Sequence, residues 1–269
     1  MHWYLLLDDA RPAPYNMAKD ELCLRRAANG GNVFVRIYTW ERPTLSIGRN
    51  QAVAREINLR GCLAEGVEVV RRMTGGKAVL HGEDLTYSVA GPRDQPPFQG
   101  GIMAVYRSLA EVLCRFFSGL GLGPTIQPYS GRERAELASS VCFSTPSAHE
   151  ILVGGKKLAG SAQRLLPEGF LQHGSIPLTP QYDRLERIFP GASADELRRR
   201  MTDLGTLGIW ERFSRKEVRD RLISAFQEEF GIALDPAPWS AAHEREVLRL
   251  AGNYPYLELM EKPERAVSG

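Results

Sequence analysis

The stretch RRMTGGKAVLHGEDLTYSV, residues 71–89, decides how the rest of the sequence is interpreted. The residues on either side of the Thr-Gly-Gly break are typical of strands, and glycine lets a backbone approach a ligand closely because it has no Cβ. The flanking cations Arg71, Arg72 and Lys77 favour an anionic or carrier-bound ligand over a simple tight connection. His81 is either part of that site or a structural hydrogen-bonding residue. The stretch therefore predicts strands joined by a loop that could bind a ligand.

Outward from this stretch, the sequence alternates between segments typical of strands and segments typical of helices. Apolar patterning indicates strands in NVFVRIYTW (32–40) and PTLSIGRNQ (43–51), and Gly154-Gly155 between two apolar runs indicates a hairpin. Helical spacing and end signals predict helices at 15–31 with Asn16 as the N-cap, 103–121, 193–200, 214–230 and 240–251, with DPAPW (235–239) as a linker. This order predicts an α/β (α+β) fold, in which one domain, residues 1–269, has a mixed central β-sheet flanked by helices.

The composition is that of an ordinary globular protein and narrows the function classes. The 269 residues are 43% hydrophobic and 25% charged, and a net charge of +2 gives no global basic field for nucleic acid. Four widely spaced cysteines without a Cys-x-x-Cys pair argue against a disulfide framework or a zinc site, so we expect no metal. The start lacks the pattern of a secretory signal, and no run approaches the ~20 apolar residues of a membrane span. We therefore expect a cytoplasmic protein with free thiols that binds neither nucleic acid nor membrane.

Two further stretches predict the walls of one groove. In GGKKLAGSAQ (154–163), a turn at the glycines places Lys156 and Lys157 on opposite faces of the returning strand, so that one of them can face inward. The small residues that follow permit close approach of a ligand. In GFLQHGSI (169–176), His173 belongs either to a second wall of that groove or to the polar face of a hairpin strand.

Cys142 lies in the polar, proline-containing loop VCFSTPSAHE (141–150), whereas the other three cysteines lie among apolar or helix-like residues. A structural cysteine behaves as a small buried hydrophobe, and a reactive one needs a loop and a nearby cation. A lone loop cysteine is more often incidental. Lys157 across the groove would change that, because an ammonium group stabilises the thiolate and so prepares it to accept an acyl group.

The motifs taken together resemble the lipoate/biotin protein ligase superfamily. RRMTGGKAVLH, GGKKLAGSAQR and LQHGSI occur in the order and spacing of that superfamily, and NMAKDE (16–21) and WERPTLSIGRNQ (40–51) resemble its lipoate branch. The resemblance implies the fold of the biotin/lipoate protein ligase catalytic domain. It implies a ligase or transferase core at about 30–235 and leaves a C-terminal helical segment at 240–269.

Within the superfamily, the cysteine loop and GEDLTYSV resemble the LipM-type octanoyltransferases, in which a cysteine carries the acyl group as a thioester. ATP-dependent lipoate ligases more usually follow the histidine with an Asp-Gly-Asn-like run. The octanoyltransferases with a late Asn-Pro-Cys motif are excluded in their usual form, because no cysteine follows Cys142. The Gly-Arg-Gly-Arg-type loop expected of biotin ligases is absent.

The resemblance implies specific roles for individual residues. Cys142 corresponds to the acyl-carrying nucleophile, and Lys157 to the lysine that lowers the pKa of that cysteine and contacts the acyl carbonyl. The expected substrate-binding residues are Arg72, Gly75, Gly76, His81, Gly160, Ser161, Ala162 and His173. Two departures concern substrate preference: Lys77 stands where glycine or arginine is commoner, and His149 stands where tyrosine is expected.

The resemblance also implies the partners. The donor would be octanoyl-phosphopantetheine on acyl carrier protein, so no cofactor is needed, and the acceptor would be a lysine of the glycine-cleavage H protein or of an E2 lipoyl domain. Arg71, Arg72 and Lys77 are candidates for steering these acidic partners, unless they pack internally. Two other functions stay open: an ATP-dependent lipoate–protein ligase with Cys142 as a spectator, and a non-catalytic module that senses a cofactor or binds a carrier.

Overall fold

The computed structural model describes residues 1–93, 95–127 and 150–257. The strands are β1 (Trp3–Leu7), β2 (Val33–Tyr38), β3 (Thr44–Ile47), β4 (Glu68–Arg71), β5 (Val79–His81), β6 (Asp84–Pro92), β7 (Pro124–Ile126), β8 (Ile151–Val153), β9 (Lys156–Leu165), β10 (Gly169–Pro177) and β11 (Asp235–Pro236). The helices are α1 (Ala13–Gly30), α2 (Val53–Glu56), α3 (Leu59–Ala64), α4 (Gly101–Gly119), α5 (Tyr182–Ile188), α6 (Ala194–Arg200), α7 (Arg215–Phe230) and α8 (Ala241–Ala251). A 3₁₀ turn covers Ile209–Glu211.

Eight of the described strands form one sheet in the order β11-β1-β2-β6-β10-β9-β8-β7. Strand β1 runs parallel to β2 and β11, whereas β6, β10, β9, β8 and β7 follow each other antiparallel. The second sheet has the order β4-β3-β5. The predicted mixed α/β fold is therefore confirmed.

Both faces of the large sheet are covered. Helices α4 and α7 bury apolar side chains such as Phe116 and Phe226 against Val35, Val89 and Phe170 on one face. Helix α1 and the three-stranded sheet cover the opposite face. Strand β2 is consequently buried at every position, and the alternation visible in its sequence separates two buried faces rather than core from solvent.

Helix α1 begins earlier than predicted, and the proposed Asn16 N-cap is wrong. Pro12 is the N-cap, and Pro14 lies in the first helical turn, where proline is favoured because its fixed φ suits the start of a helix. Asn16 lies inside the helix, where its side-chain amide donates to the carbonyls of Arg11 and Thr39. The end of the helix is confirmed, since Gly31 adopts φ 64° in the left-handed region.

The hairpin and the three late helices are confirmed. Gly154 and Gly155 have φ values of 58° and 75°, the pair of positive values that a type I′ turn requires. Helices α6, α7 and α8 follow the predicted segments within one or two residues. The predicted linker at 235–239 is partly wrong, because Asp235 and Pro236 form β11 beside β1.

The C-terminal helix is part of the folded body. The hydroxyl of Tyr254 donates to Glu21 on α1 at 2.6 Å, and Leu257 N–H donates to the carbonyl of Val69. Residues before the expected boundary near 30 also contribute, since β1 pairs with β2 in the large sheet. Among the described residues, none of the helices is both long enough and apolar enough to cross a membrane.

Candidate active site

A register shift in the β8–β9 hairpin sets the direction of Lys157. Ile151 pairs with Ala159, whereas Leu152 pairs with Lys157, so Leu158 is an extra residue in β9. Ile151 and Ala159 lie in the core under α4. Because paired residues share a face and neighbours alternate, Leu152 and Lys157 point to the opposite face.

The two lysines of the hairpin therefore differ, as the sequence predicts. The side chain of Lys157 is 3% exposed, and its Nζ donates to Glu150 Oε1 at 2.5 Å. Lys156 is half-buried, and its Nζ donates to the carbonyl of Arg198 at 2.7 Å. Glu150 is itself buried, so the Lys157 cation lies in a site where charge must be paired.

A pocket opens on the Lys157 face of β9, between the large and the small sheet. It is lined by Tyr38, Trp40, Ser46, Arg72, Gly76, Val79, His81, Thr86, Gly160, Ser161, Ala162, His173, Gly174 and Ser175. Seven of the eight expected substrate-binding residues are thus brought together. The exception is Gly75, whose carbonyl instead accepts a hydrogen bond from Arg72. Lys157 does not line the pocket and precedes Gly160 by three residues along β9.

Two glycines allow the loop of residues 74–77 to close this pocket. Gly76 has φ 85°, and a Cβ there would lie 3.0 Å from the Arg72 guanidinium and 3.8 Å from Ala162 Cβ across the pocket. Gly48 packs against the loop from behind, since a Cβ on it would lie 1.9 Å from the carbonyl oxygen of Gly76. The sequence analysis quoted Gly48 only within a family motif, and its close backbone contact explains why glycine is needed there.

The three cations of the opening stretch make contacts within the fold, and burial excludes Arg72 as a steering residue, whereas the steering role of Arg71 and Lys77 stays a prediction. Arg72 is 3% exposed, and its guanidinium donates to carbonyls of Ser46, Gly75 and Lys77. Arg71 donates to three carbonyls between Gly48 and Gln51. Lys77, one of the two departures from the family pattern, pairs with Glu56 at 3.0 Å.

His81 is held on both ring nitrogens. Its Nδ1 lies 2.7 Å from Asp84 Oδ2, its Nε2 lies 2.8 Å from Ser46 Oγ, and its ring stacks on Trp40 at 4.1 Å. Burial raises the pKa of the Asp84 carboxyl, but the interactions with His81, Ser175 and the Gly82 N–H together more than offset this, so the pKa of Asp84 lies below its ordinary value.

His173 has the same kind of surroundings. Its Nδ1 lies 3.1 Å from Asp20 Oδ2, and its Nε2 lies 2.7 Å from Thr74 Oγ1. Burial lowers the pKa of His173, which keeps the ring neutral at pH 7. Because an ionised carboxylate can only accept, Nδ1 carries the proton and Nε2 accepts from the Thr74 hydroxyl.

Sequence reasoning missed the buried ion network beneath the pocket. Asp20 is 1% exposed and accepts from Arg36 at 2.8 Å, from Ser88 at 2.7 Å and from Tyr38 at 3.0 Å. Arg36 also pairs with Asp8 at 2.5 Å. Asp20 resembles an ordinary acidic residue of a helix N-terminal region, but an arginine inside the apolar run VFVRIY was an available signal, since a charge there needs a buried partner.

Ser161 contributes to the pocket differently from its neighbours. Its hydroxyl is hydrogen bonded to the Tyr87 hydroxyl at 2.8 Å, and Tyr87 belongs to the core under α4 and α7. Its side chain is therefore directed away from the pocket, so a ligand would meet its backbone.

The described cysteines are poor candidates for the nucleophile. Cys23 and Cys62 are buried and Cys114 is half-buried, and burial raises their pKa values to about 12, 11 and 11. Cys142 and His149 lie outside the described residues, so their assigned roles stay predictions. Among the residues that the structure covers, no group of three His, Cys, Asp or Glu side chains is placed to hold a metal ion.

A family comparison agrees with this geometry. Residues 12–227 match the model of the lipoyl protein ligase A/B catalytic domain. This chain belongs to that family.

Individual relatives show which members of the family this chain resembles. A protein of Brevibacillus brevis named octanoyltransferase LipM is 37% identical over 87% of this chain and 87% of its own length. A protein of the same name from Moorella thermoacetica is 35% identical over 93% and 94%. Among solved structures, lipoate-protein ligase A bound with ATP is 25% identical with a TM-score of 0.77, covering 94% of this chain and 95% of that one. A putative lipoate protein ligase from T. acidophilum with bound lipoic acid is 23% identical with a TM-score of 0.76, over 94% and 96%, and supports the fold alone.

Proposed function

We propose that this protein is an octanoyltransferase of protein lipoylation. The observation that carries the proposal is the similarity to proteins named octanoyltransferase LipM, which reaches 37% identity over most of both chains. The site supports it, because a buried lysine faces the same side of β9 as a pocket that closes between two sheets.

In the first half-reaction, the Cys142 thiolate attacks the thioester carbonyl of octanoyl–acyl carrier protein. A new thioester forms on Cys142, and the phosphopantetheine thiolate leaves. Since one thioester replaces another, this step is close to balance. The Lys157 ammonium stabilises the Cys142 thiolate and the developing oxyanion.

In the second half-reaction, the free amine of a lysine on a lipoyl-accepting protein attacks the acyl-Cys142 carbonyl. The amine loses a proton as the amide forms, and Cys142 leaves as the thiol. Replacing a thioester by an amide is downhill, so the cycle needs neither ATP nor a bound cofactor. The two steps are separate, and they predict ping-pong kinetics.

The pocket between the Gly76 loop and the β9–β10 wall holds the octanoyl chain. Its carbonyl end lies towards Lys157, which precedes the wall residue Gly160 on β9. Each buried CH₂ contributes roughly 0.8 kcal/mol, so the chain supplies binding energy without any charged contact.

The alternative is an ATP-dependent lipoate–protein ligase, as in one structural neighbour. It is less supported, since that neighbour is 25% identical whereas the octanoyltransferases reach 37%. The test compares two assays on an apo lipoyl domain: octanoyl–acyl carrier protein without nucleotide, and free octanoate with ATP and Mg²⁺. Modification only in the first assay is the expected result. Modification only in the second would replace the proposal with the ligase.

A further inference from the structure

Arg72 joins two buried hydrogen-bonded chains that meet at the pocket. Its Nε donates to Thr74 Oγ1 at 3.0 Å, and one terminal nitrogen donates to the Ser46 carbonyl at 2.7 Å and lies 3.3 Å from Ser46 Oγ. Ser46 and Thr74 are the hydroxyl residues that contact Nε2 of His81 and of His173. The order of contacts is therefore carboxylate, histidine, hydroxyl and guanidinium on both sides of the pocket.

The same guanidinium holds the loop that closes the pocket. Its other terminal nitrogen donates to the carbonyls of Gly75 and Lys77 at 2.6 and 2.7 Å. These carbonyls flank Gly76, the loop residue that faces Ala162 across the pocket. Thr74 at the start of this loop contacts His173 on β10. This contact ties the position of the loop to the large sheet.

The direction of each hydrogen bond on the His173 side follows from the donors and acceptors present. Arg72 can only donate, so the Thr74 oxygen accepts from it, and the Thr74 hydroxyl proton points to His173 Nε2. His173 Nδ1–H then donates to Asp20. The titratable and charged groups around this ring are Asp20 from α1, Arg36 behind Asp20, His81 from β5, and Arg72 just after β4. Asp20 has Arg36 as its partner, so a second proton on His173 would add an unbalanced buried charge beside Arg72.

The geometry points to Thr74 as a positioning residue for octanoyl transfer, acting through the Asp20–His173–Thr74–Arg72 chain to hold the Gly75–Lys77 loop over the acyl chain. The inference rests on the proposed function for the identity of the acyl chain. The Thr74 side chain is fully buried, and its hydroxyl contacts Arg72 and His173. Its removal should weaken acyl-chain capture and leave the chemical step on Cys142 largely unchanged.

The test is single-turnover acylation of the full-length protein by octanoyl–acyl carrier protein, followed by intact mass at several donor concentrations. Thr74→Val removes the hydroxyl and keeps the branched shape, whereas Thr74→Ser keeps the hydroxyl. The matched control is Thr44→Val, because Thr44 is 1% exposed, does not line the pocket, and its hydroxyl donates to the carbonyl of Arg42 at 3.0 Å, outside the Asp20–His173–Thr74–Arg72 chain.

We expect Thr74→Val to raise the half-saturating donor concentration about tenfold with a maximal rate within twofold, a loss comparable to one hydrogen bond. Thr74→Ser should restore the parent value, and Thr44→Val should lower the thermal midpoint without moving the half-saturating concentration. An equal shift in Thr74→Val and Thr44→Val would overturn the inference, since both would then act through stability alone. An unchanged Thr74→Val would overturn it as well.

A second measurement separates this inference from the proposed function. Nitrogen-15 NMR of the labelled protein should show His173 as the Nδ1–H tautomer, with an Nε2 shift that moves in Thr74→Val and stays in Thr44→Val. Protonated Nε2 in the parent protein would contradict the chain of hydrogen bonds. Failure of the parent protein to accept any octanoyl group, with the NMR pattern intact, would instead count against the proposed function.

Discussion

The two faces of the central sheet are both buried but are built from different chemistry. Along β6, Tyr87 and Val89 point into the core under α4 and α7, whereas Thr86 and Ser88 point to the pocket face. Along β10, Phe170 lies in that core, and His173 lines the pocket. The same strands thus supply apolar volume on one side and paired polar groups on the other.

The difference separates stability from positioning. Apolar packing is stabilising in proportion to the area it removes from water, and it tolerates small displacements. A buried polar group stabilises only when its partners are in place, so the pocket face fixes each side chain in one orientation. Asp20 and Asp84 illustrate this pairing, because each carboxylate accepts several hydrogen bonds from its neighbours.

The largest expected effect is on the apolar face. Phe170→Ala should lower the free energy of unfolding by about 3–5 kcal/mol, because the ring is fully buried against Phe98 and leaves a cavity. Urea unfolding measures the loss. Activity per folded molecule should stay close to that of the parent at low temperature, and a selective loss of activity without loss of stability would break the distinction between the faces.

The next largest effect is expected at the β8–β9 hairpin, where Lys156 and Lys157 point to opposite faces of the sheet. Lys157→Ala should slow octanoyl transfer about 10²–10³-fold, as expected for loss of a charged oxyanion donor, and should raise the pH at which transfer proceeds. Transfer rates between pH 6 and 9 measure both changes. Lys156→Ala is the matched control on the opposite side of the strand, and an equal loss in that variant would contradict the role assigned to the register shift.

A smaller effect concerns pH. Burial places the pKa of His173 below the ordinary 6.5, so the unfolded chain binds more protons than the native protein as pH falls below 6.5. The free energy of unfolding should therefore decrease on acidification through that window, by up to about 1.4 kcal/mol per pH unit for this group. Urea unfolding at pH 7.5, 6.5 and 5.5 measures the slope. His173→Gln should flatten it, and an identical slope in that variant would refute the assignment.

The smallest effect is expected for Lys77, which is partly exposed to water. Lys77→Ala should cost about 0.5 kcal/mol, because the Lys77–Glu56 pair is partly exposed to water. Octanoyl transfer should fall no more than twofold, since Lys77 does not line the pocket. A tenfold loss of transfer would show that this departure from the family pattern contacts substrate or partner.

Local sequence patterns predicted most of the fold and the two walls of the pocket. Gly154-Gly155, the strand around Val35 and the helix over 214–230 carry their signals within a few residues, as turn chemistry and periodicity do. The family motifs added the Gly76 loop and its counterpart at Gly160. These features are determined by residues that are close in the sequence, and local sequence patterns can therefore predict them.

The remaining features arise from contacts between distant segments. Asp20 meets Arg36, His173 and Ser88 only after α1 packs on the sheet, so its burial could not be derived from the local sequence. Arg72 is directed inward for the same reason, because its acceptors are backbone carbonyls positioned by the fold. The extra residue at Leu158 is equally hidden, since a register shift depends on the partner strand.

The most direct test of the central claim is intact-protein mass spectrometry after mixing the purified protein with octanoyl–acyl carrier protein in the absence of nucleotide. The account predicts a gain of one octanoyl group, removed by hydroxylamine, absent in Cys142→Ser and formed slowly in Lys157→Ala. An octanoyl adduct that persists in Cys142→Ser, or no adduct in a parent protein that still modifies a lipoyl domain, would contradict it.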